Sequence, residues 1–251
     1  MSETEFPDVV HRLSDLTPSR VRLDPTGSAA PLSAVLDFQL SHARARDAIR
    51  SPADWEGITD ALTGQGLEVL DLHSQAETRD IYIRRPDLGR RLAADSRARI
   101  AASAPDLAIA IVDGLSATAV STHAANMVRA IAGALPEIAI GPVALVREGR
   151  VAIGDEIAAA MQAPLCLVLI GERPGLSVSD SLGAYLTWDP KPGTADSRRN
   201  CVSNIHGRGG LSYDRATDLL AFLIRKAREL GATGVALKDD RPSTPALSAP
   251  D

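Results

Sequence analysis

The hydrophobic pattern of the chain changes near residue 106. Before this point apolar residues recur at helical spacing, most regularly over residues 33–50. After it, continuous apolar runs at residues 107–112, 142–147 and 165–170 alternate with longer amphipathic stretches. Runs of this length without alternation are typical of strands that are buried on both faces of a parallel sheet. The pattern therefore predicts a Rossmann-like α/β fold, with a mostly parallel sheet and helices on both faces, preceded by a helix-rich N-terminal section.

The same pattern divides the chain into four parts. Residues 1–30, rich in proline, are predicted to form a flexible N-terminal arm, and residues 31–105 the helix-rich section. Residues 106–240 are predicted to form the Rossmann-like domain, and residues 241–251 a disordered tail. The arm and the helix over residues 33–50 carry mixed charge and lie outside the predicted sheet, so we expect them to face a partner.

The remaining elements are predicted from shorter patterns of spacing, caps and turn residues. Helices are predicted over residues 54–62, 92–102, 117–135, 151–161, 179–182 and 212–230. Strands are predicted over residues 78–83, 184–188 and 234–237, and a long loop over residues 190–210. Loops of that length in a compact domain are usually functional or disordered.

Composition and charge exclude several classes of function. The net charge of −5 gives no basic excess for binding nucleic acid or an anionic membrane surface. No apolar run reaches the roughly 18 residues of a transmembrane helix, and the acidic N-terminus does not resemble a signal peptide. The two cysteines, Cys166 and Cys201, do not form a disulfide framework. We therefore expect a cytoplasmic protein with no nucleic-acid or membrane partner.

Aromatic residues make up only 3% of a chain rich in alanine, which favours stabilisation by a partner subunit.

The most informative polar segment follows the central apolar run. Gly171 ends the run, and Glu172 and Arg173 come directly after it, before a turn at Pro174 and Gly175. A carboxylate and a guanidinium therefore lie at the carboxyl end of a central strand, where open α/β sheets bind ligands. The spacing alone fits a solvated surface salt bridge equally well.

Motifs for common chemistries are absent or incomplete. The chain has no Gly-x-Gly-x-x-Gly, no phosphate-binding loop and no Gly-x-Ser-x-Gly. Cys201 and His206 lack the further ligands of a structural zinc site, and Cys201 lacks the signature of a cysteine hydrolase. Cys166 is expected to be a buried residue in mid-strand. Asp113 is either catalytic or a cap for the turn that follows it. No catalytic residue and no metal site are therefore predicted.

One further segment resembles a cobalamin-binding motif. Residues 71–76 approach the pattern Asp-x-His-x-x-Gly, by which some enzymes replace the lower ligand of cobalamin with histidine. Here Ala76 stands where that motif has glycine, and the segment precedes the α/β domain. The alternative is that His73 is a residue of a surface loop.

Six segments together resemble the small (light) subunit of ethanolamine ammonia-lyase. Three of them are Val112-Asp113-Gly114-Leu115-Ser116, Arg147-Glu148-Gly149-Arg150-Val151 and Gly171-Glu172-Arg173-Pro174-Gly175-Leu176. The other three are residues 36–48, 84–92 and 199–206. The resemblance runs from about residue 16 to residue 238, with the segments in the family's order and spacing.

This resemblance implies a function that the residues alone do not give. The family's enzyme depends on adenosylcobalamin and splits ethanolamine into acetaldehyde and ammonia. Its large subunit, a TIM barrel, carries the substrate site, and the small subunit encloses the cobalamin against it in a higher hetero-oligomer. The resemblance implies that residues 106–240 bind cobalamin, with contacts at Val151, Glu172 and Cys201, and that the isolated chain is inactive.

The resemblance leaves two questions open. Family members sent to bacterial microcompartments often carry a longer amphipathic extension, and here only residues 9–16 are available for that part. The chain is therefore expected in the cytoplasm or in a microcompartment. The alternative function is a free-standing nucleotide-binding or regulatory α/β protein.

Overall fold

A computed structural model describes residues 32–241 of the chain. The predicted arm, residues 1–30, and the predicted tail beyond residue 241 lie outside the described residues, as do residues 9–16. The helices are α1 (Leu32–Arg50), α2 (Trp55–Thr63), α3 (Arg79–Arg84), α4 (Ala94–Ala98), α5 (Ala117–Ala134), α6 (Ile153–Met161) and α7 (Tyr213–Leu230). The strands are β1 (Val69–His73), β2 (Leu107–Val112), β3 (Val143–Arg147), β4 (Leu165–Gly171), β5 (Leu182–Trp188) and β6 (Arg199–Ile205). Within residues 32–241, no helix has both the length and the apolar character needed to cross a membrane.

The strands form one six-stranded sheet in the order β1-β3-β2-β4-β5-β6. The first four strands in this order are parallel, whereas β5 runs antiparallel to β4 and β6 runs antiparallel to β5. The fold is therefore mixed α/β with a mostly parallel sheet. The strand β4 lies inside the sheet between β2 and β5, and all seven of its residues are buried. Each large apolar side chain buried in this way contributes about 1.5–3 kcal/mol relative to exposure.

The continuous apolar runs are explained by two cores, one on each face of the sheet. Alternate residues of β2 and β4 point to opposite faces, so Ile109 and Leu167 lie in the core that also contains apolar residues of α2, α5 and α7. Ala110 and Val168 lie in the second core, which is closed by α6. On this second face, α6 reaches β5 and β6 at one end, where its Asp155 pairs with the buried Arg199 of β6, and it leaves the part around Tyr185 and Cys201 less covered. An open surface is left there, with Tyr185 half-buried on it.

Several predicted elements are confirmed. The strands β2, β3 and β4 occupy the three continuous apolar runs, and α1, α2, α5, α6 and α7 lie within two residues of their predicted bounds. The ends of α7 follow the expected chemistry. Ser212 accepts a hydrogen bond from the backbone N–H of Arg215, and Gly231 ends the helix at a φ of 63°.

Two predicted strands are wrong. Residues 78–83 do not form a strand, because the Thr78 side chain accepts a hydrogen bond from the N–H of Ile81 and starts the helix α3. Residues 234–237 contain a 3-10 turn, Gly234–Ala236, in place of a final strand. Gly234 has a φ of 74°, which a regular strand does not accommodate.

Other predictions need correction in length or type. The long loop over residues 190–210 contains the strand β6, and the predicted helix over residues 179–182 is replaced by a segment that leads into β5. The helix predicted over residues 92–102 is reduced to α4. The strand β1 lies in the section called helix-rich and pairs in parallel with β3, so the sheet begins before residue 106.

Candidate functional site

The candidate site lies where the turns after β2, β3 and β4 meet the open surface of β5 and β6. Two clefts, of about 540 and 440 Å³, share three lining residues, Arg150, Val151 and Tyr185. Glu172 lines the smaller cleft and Cys201 the larger. Val151, Glu172 and Cys201 are far apart in the sequence but lie on one continuous surface. A third cleft of about 700 Å³ continues from the larger one past Ala152.

The turn after β3 brings Arg150 and Val151 to this surface. The buried carboxylate of Asp113 accepts hydrogen bonds from the backbone N–H groups of Glu148 (3.0 Å) and Gly149 (3.2 Å). Arg79 donates to the Glu148 carboxylate at 2.9 Å and so holds the turn from its other side. The contacts match neither alternative considered for Asp113 from sequence: the carboxylate does not cap the turn that follows it but links the end of β2 to the turn after β3.

Burial of Asp113 changes its acidity. The loss of solvation raises the pKa of this carboxyl to about 7, and the neighbouring Glu148 carboxylate adds to the rise. The N–H groups of Glu148 and Gly149 and the Arg79 guanidinium act in the opposite direction. The titration of Asp113 therefore bears on how firmly the turn is held, not on a reacting group.

Glu172 lies at the end of β4 and joins three elements. Its carboxylate accepts hydrogen bonds from the Ser181 hydroxyl (2.5 Å), the backbone N–H of Asn204 (3.2 Å) and the Ser203 hydroxyl. Among the described residues neither Glu172 nor Arg173 forms an ion pair, so the surface salt bridge considered from sequence is not formed. Because a carboxylate offers about four acceptor positions, Glu172 retains capacity for a ligand.

The glycine at position 171 is required by close packing at this strand end. A Cβ atom at Gly171 would lie 2.1 Å from the carbonyl oxygen of Ser116. The backbone N–H of Leu115 donates to the Gly171 carbonyl at 2.9 Å. The turn after β2 therefore packs directly on the end of β4, which fixes the direction in which the chain leaves toward Glu172.

Cys201 lies in β6, directly opposite Tyr185 of β5. Partial burial of the sulfur raises the pKa of the Cys201 thiol, and the Glu172 carboxylate adds to the rise while the Tyr185 hydroxyl opposes it. The residue is therefore a neutral thiol at neutral pH and not an activated nucleophile. The sequence placed Cys201 in a loop, but the strand gives it a fixed position on the open surface.

A metal or nucleophile–base role for Cys201 and His206 finds no support in the structure. His206 is buried; its Nδ1 accepts a hydrogen bond from the backbone N–H of Arg208 (3.1 Å), and its Nε2 donates to the Asn204 side chain (2.8 Å). Both ring nitrogens are therefore used locally. In residues 32–241 no group of three or more His, Cys, Asp or Glu residues is arranged to hold a metal ion.

The segment that resembles a histidine-ligand motif is part of the sheet. His73 is the last residue of β1, and its ring nitrogens lie 3.0 Å from the Ser74 carbonyl oxygen and 3.1 Å from the Asp95 carboxylate. It is therefore neither a loop residue nor a histidine with an unused ring nitrogen.

Sequence reasoning missed two aromatic residues and one arginine at the site. Tyr185 lies between the two clefts, and Tyr82 lines the smaller one. The Arg150 guanidinium lies 4.4 Å from the centroid of the Tyr82 ring. The only sequence signal for Arg150 was its place directly before Val151, because its surroundings are set by α3 and by the turn at Gly89.

Comparison with known proteins bears directly on this arrangement. The family model described as "Ethanolamine ammonia-lyase light chain (EutC)" matches residues 7–238. The chain is 48% identical over 239 residues to the ethanolamine ammonia-lyase small subunit of Rhodopseudomonas palustris (strain BisA53), with 92% of this chain and 91% of that protein covered. The chain belongs to the ethanolamine ammonia-lyase light-chain family.

Two further relatives of this light chain carry the same name. The small subunit from Bradyrhizobium diazoefficiens is 48% identical over 234 residues, covering 91% of this chain and 89% of that protein. The one from Xanthomonas campestris pv. campestris (strain B100) is 44% identical over 245 residues, covering 94% and 90%. The resemblance drawn from the six sequence segments is therefore confirmed.

Proposed function

We propose that this light chain is the small subunit of an adenosylcobalamin-dependent ethanolamine ammonia-lyase, which converts ethanolamine to acetaldehyde and ammonia. Membership of the family supports this, since the relatives are named as small subunits of that enzyme. Its partner is the large catalytic subunit, a TIM barrel, within a higher hetero-oligomer. The enzyme works in the cytoplasm or in a bacterial microcompartment.

In this proposal the cleft surface holds the cobalamin against the large subunit. The contacts are Val151, Glu172 and Cys201, carried by the Rossmann-like domain of residues 106–240. The observation that carries the proposal is their convergence. Val151 follows β3, Glu172 follows β4 and Cys201 lies in β6, yet all three line two clefts that share a wall.

The residues present fit the chemistry of the cofactor. Cobalamin combines an apolar corrin rim with several carboxamide arms, so its site needs apolar surface together with hydrogen-bond donors and acceptors. Val151 and Tyr185 supply half-buried apolar surface, and the Glu172 carboxylate is an acceptor for amide N–H groups. Arg150 lines both clefts and forms no ion pair with any described residue, so its guanidinium is a donor for the same ligand.

The chain's own residues bind, orient and enclose; they do not react. When bound, adenosylcobalamin supplies the radical chemistry, and the large subunit supplies the substrate site. On this surface Glu172 would accept hydrogen bonds from the cofactor, and Val151 and the strand β6 with Cys201 would supply the surface against which it is held. No residue of the light chain is assigned a catalytic role.

The proposal is tested by reconstitution. We expect the isolated light chain to release no ammonia from ethanolamine with adenosylcobalamin, and the large subunit to gain activity when the light chain is added. Activity in the light chain alone, or no gain on mixing, would overturn the proposal. Nucleotide binding by the isolated chain would instead support a regulatory α/β protein.

Cys201 is expected to act through its backbone and shape. Because its thiol is neutral and faces Tyr185, Cys201→Ser should lower ammonia release by less than about tenfold, equivalent to about 1.4 kcal/mol. The measurement is kcat/KM for ethanolamine in the assembled enzyme, with Glu137→Ala, an exposed carboxylate paired with Arg225, as control. A larger loss would show that the sulfur itself is needed.

A further inference from the structure

Arg150 is held in one position by three contacts. Its backbone N–H donates to the Gly89 carbonyl at 2.7 Å, and its guanidinium carbon lies 4.4 Å from the centroid of the buried Tyr82 ring. A Cβ atom at Gly89 would lie 3.0 Å from that ring and 3.1 Å from the Arg150 Cγ, so the stem of the arginine packs close to the turn. The side chain is therefore placed before any ligand arrives.

The charge of Arg150 is not compensated, in contrast to a second arginine at the same ring. The Arg79 guanidinium lies 4.8 Å from the centroid of Tyr82, and it pairs with Glu148 at 2.9 Å and Asp113 at 3.6 Å. Arg150 forms no ion pair with any residue in the range 32–241, and its buried Nε has no hydrogen-bond acceptor there. The missing ion pair, and not the unused donor, distinguishes Arg150, because Arg79 also has a buried nitrogen, Nη2, without an acceptor. A rigidly packed arginine whose charge is not compensated is suited to a ligand.

Arg150 and Glu172 present complementary groups in one cleft. Both line the smaller cleft, yet they do not pair with each other. Glu172 uses three of about four acceptor positions on Ser181, Ser203 and Asn204, so acceptor capacity remains beside the arginine donors. A primary carboxamide carries both a carbonyl oxygen and N–H groups and is matched by this pair. A phosphate or carboxylate would be repelled by Glu172.

We propose that Arg150 donates to the carbonyl oxygen of a corrin carboxamide arm whose N–H group is accepted by Glu172. This assignment rests on the proposed function. Arg150 would then be a fourth cofactor contact. Together, the Arg150 donor and the Glu172 acceptor would recognise uncharged amide arms. Val151, next in the chain, lines the same cleft and would offer apolar surface beside that arm.

The test is cobalamin affinity in the assembled enzyme. Arg150→Met keeps an unbranched stem against Tyr82 and removes every donor, so the Kd for hydroxocobalamin, measured by equilibrium dialysis, should rise about tenfold or more. Arg150→Lys should restore only part of the affinity, because an ammonium keeps the charge but loses the planar fork. The control is Arg225→Met, an exposed arginine of α7 paired with Glu137.

Cobinamide lacks the phosphate and the nucleotide of cobalamin. It therefore shows whether Arg150 binds a carboxamide oxygen or a phosphate oxygen. A carboxamide contact predicts the same fold-change for cobinamide as for cobalamin in Arg150→Met. A loss confined to cobalamin would assign the contact to the phosphate and overturn the amide assignment.

The remaining outcomes separate this inference from the proposed function. If the wild-type complex binds cobalamin and Arg150→Met binds it equally well, Arg150 is not a contact and only the inference fails. If the wild-type complex does not bind cobalamin, the proposed function itself fails. Should Arg150→Met not assemble, an unchanged Kd in the assembled Arg150→Lys enzyme would overturn the inference.

Discussion

Replacing Glu172 with alanine should raise the Kd for cobalamin in the assembled enzyme by about tenfold to a hundredfold, with little change in the KM for ethanolamine. The loss of a hydrogen bond to a charged group costs about 1.5–3 kcal/mol, and Glu172 lines the cleft directly. The substrate site lies on the large subunit in this account, so ethanolamine binding at saturating cofactor should be unaffected. The measurement is equilibrium dialysis of hydroxocobalamin alongside steady-state kinetics.

Controls are needed because Glu172 also ties the loop after β4 to β5 and β6. Ser181→Ala removes one of these ties and leaves the carboxylate in place, so it should change cobalamin affinity much less than Glu172→Ala. Glu137→Ala removes an exposed carboxylate that pairs with Arg225 and should have no effect. An unchanged cobalamin affinity in Glu172→Ala would count against Glu172 as a contact.

Breaking the buried ion pair between Arg199 and Asp155 should cause the largest loss of stability. Arg199 donates to both carboxylate oxygens of Asp155, at 2.7 and 2.8 Å, and the two side chains are only 3% and 1% exposed. Removing one partner of a buried pair costs about 3–5 kcal/mol, and Asp155→Ala would leave the buried Arg199 charge paired only with the exposed Asp196, at 3.4 Å. For a domain of this size each kcal/mol lowers Tm by about 2–4 °C, so Asp155→Ala should lower Tm by roughly 10 °C.

This ion pair also connects two elements of the candidate site. It joins α6, which begins two residues after Val151, to β6, which carries Cys201 two residues after Arg199. The measurement is thermal unfolding of the light chain. The exposed pair of Arg225 and Glu137 provides a control, because Glu137→Ala should leave the unfolding free energy almost unchanged. Equal effects of the two substitutions would show that burial of the Arg199 pair contributes nothing.

The parallel part of the sheet was predictable because its strands are buried on both faces. In β2 and β4 both faces are covered, so every position is apolar and the runs stand out. The position of Glu172 at the carboxyl end of β4 was predictable for the same reason, since it is the first charged residue after such a run.

The strand β6 was not predictable, because it lies at the edge of the sheet beside an open surface. Only Arg199, Val202 and Ile205 are buried, which gives a spacing of three and not two. A register shift between Leu182 and Ala184 in β5 accompanies this pattern. Because the segment is rich in proline and glycine and contains arginine and asparagine, its sequence predicts a loop. Hydrogen bonding to β5 nevertheless makes residues 199–205 a strand.

Arg150 could not be distinguished from other arginines by sequence. Its character depends on which residues surround it: Tyr82 from α3 and Gly89 from the following turn lie against it, and no carboxylate of the described residues compensates its charge. Arg79 meets the same ring, but its charge is compensated by Glu148 and Asp113. The difference in charge compensation between Arg79 and Arg150 therefore depends on their tertiary neighbours and not on the local sequence.

The most direct test of the account is a structure of the assembled enzyme with cobalamin bound. The account predicts that the corrin lies on the surface formed by the turns after β3 and β4 and the open face of β5 and β6. Val151, Glu172 and Cys201 should then lie within contact distance of the corrin. A corrin bound elsewhere, with this surface facing solvent or covered by protein alone, would contradict the account.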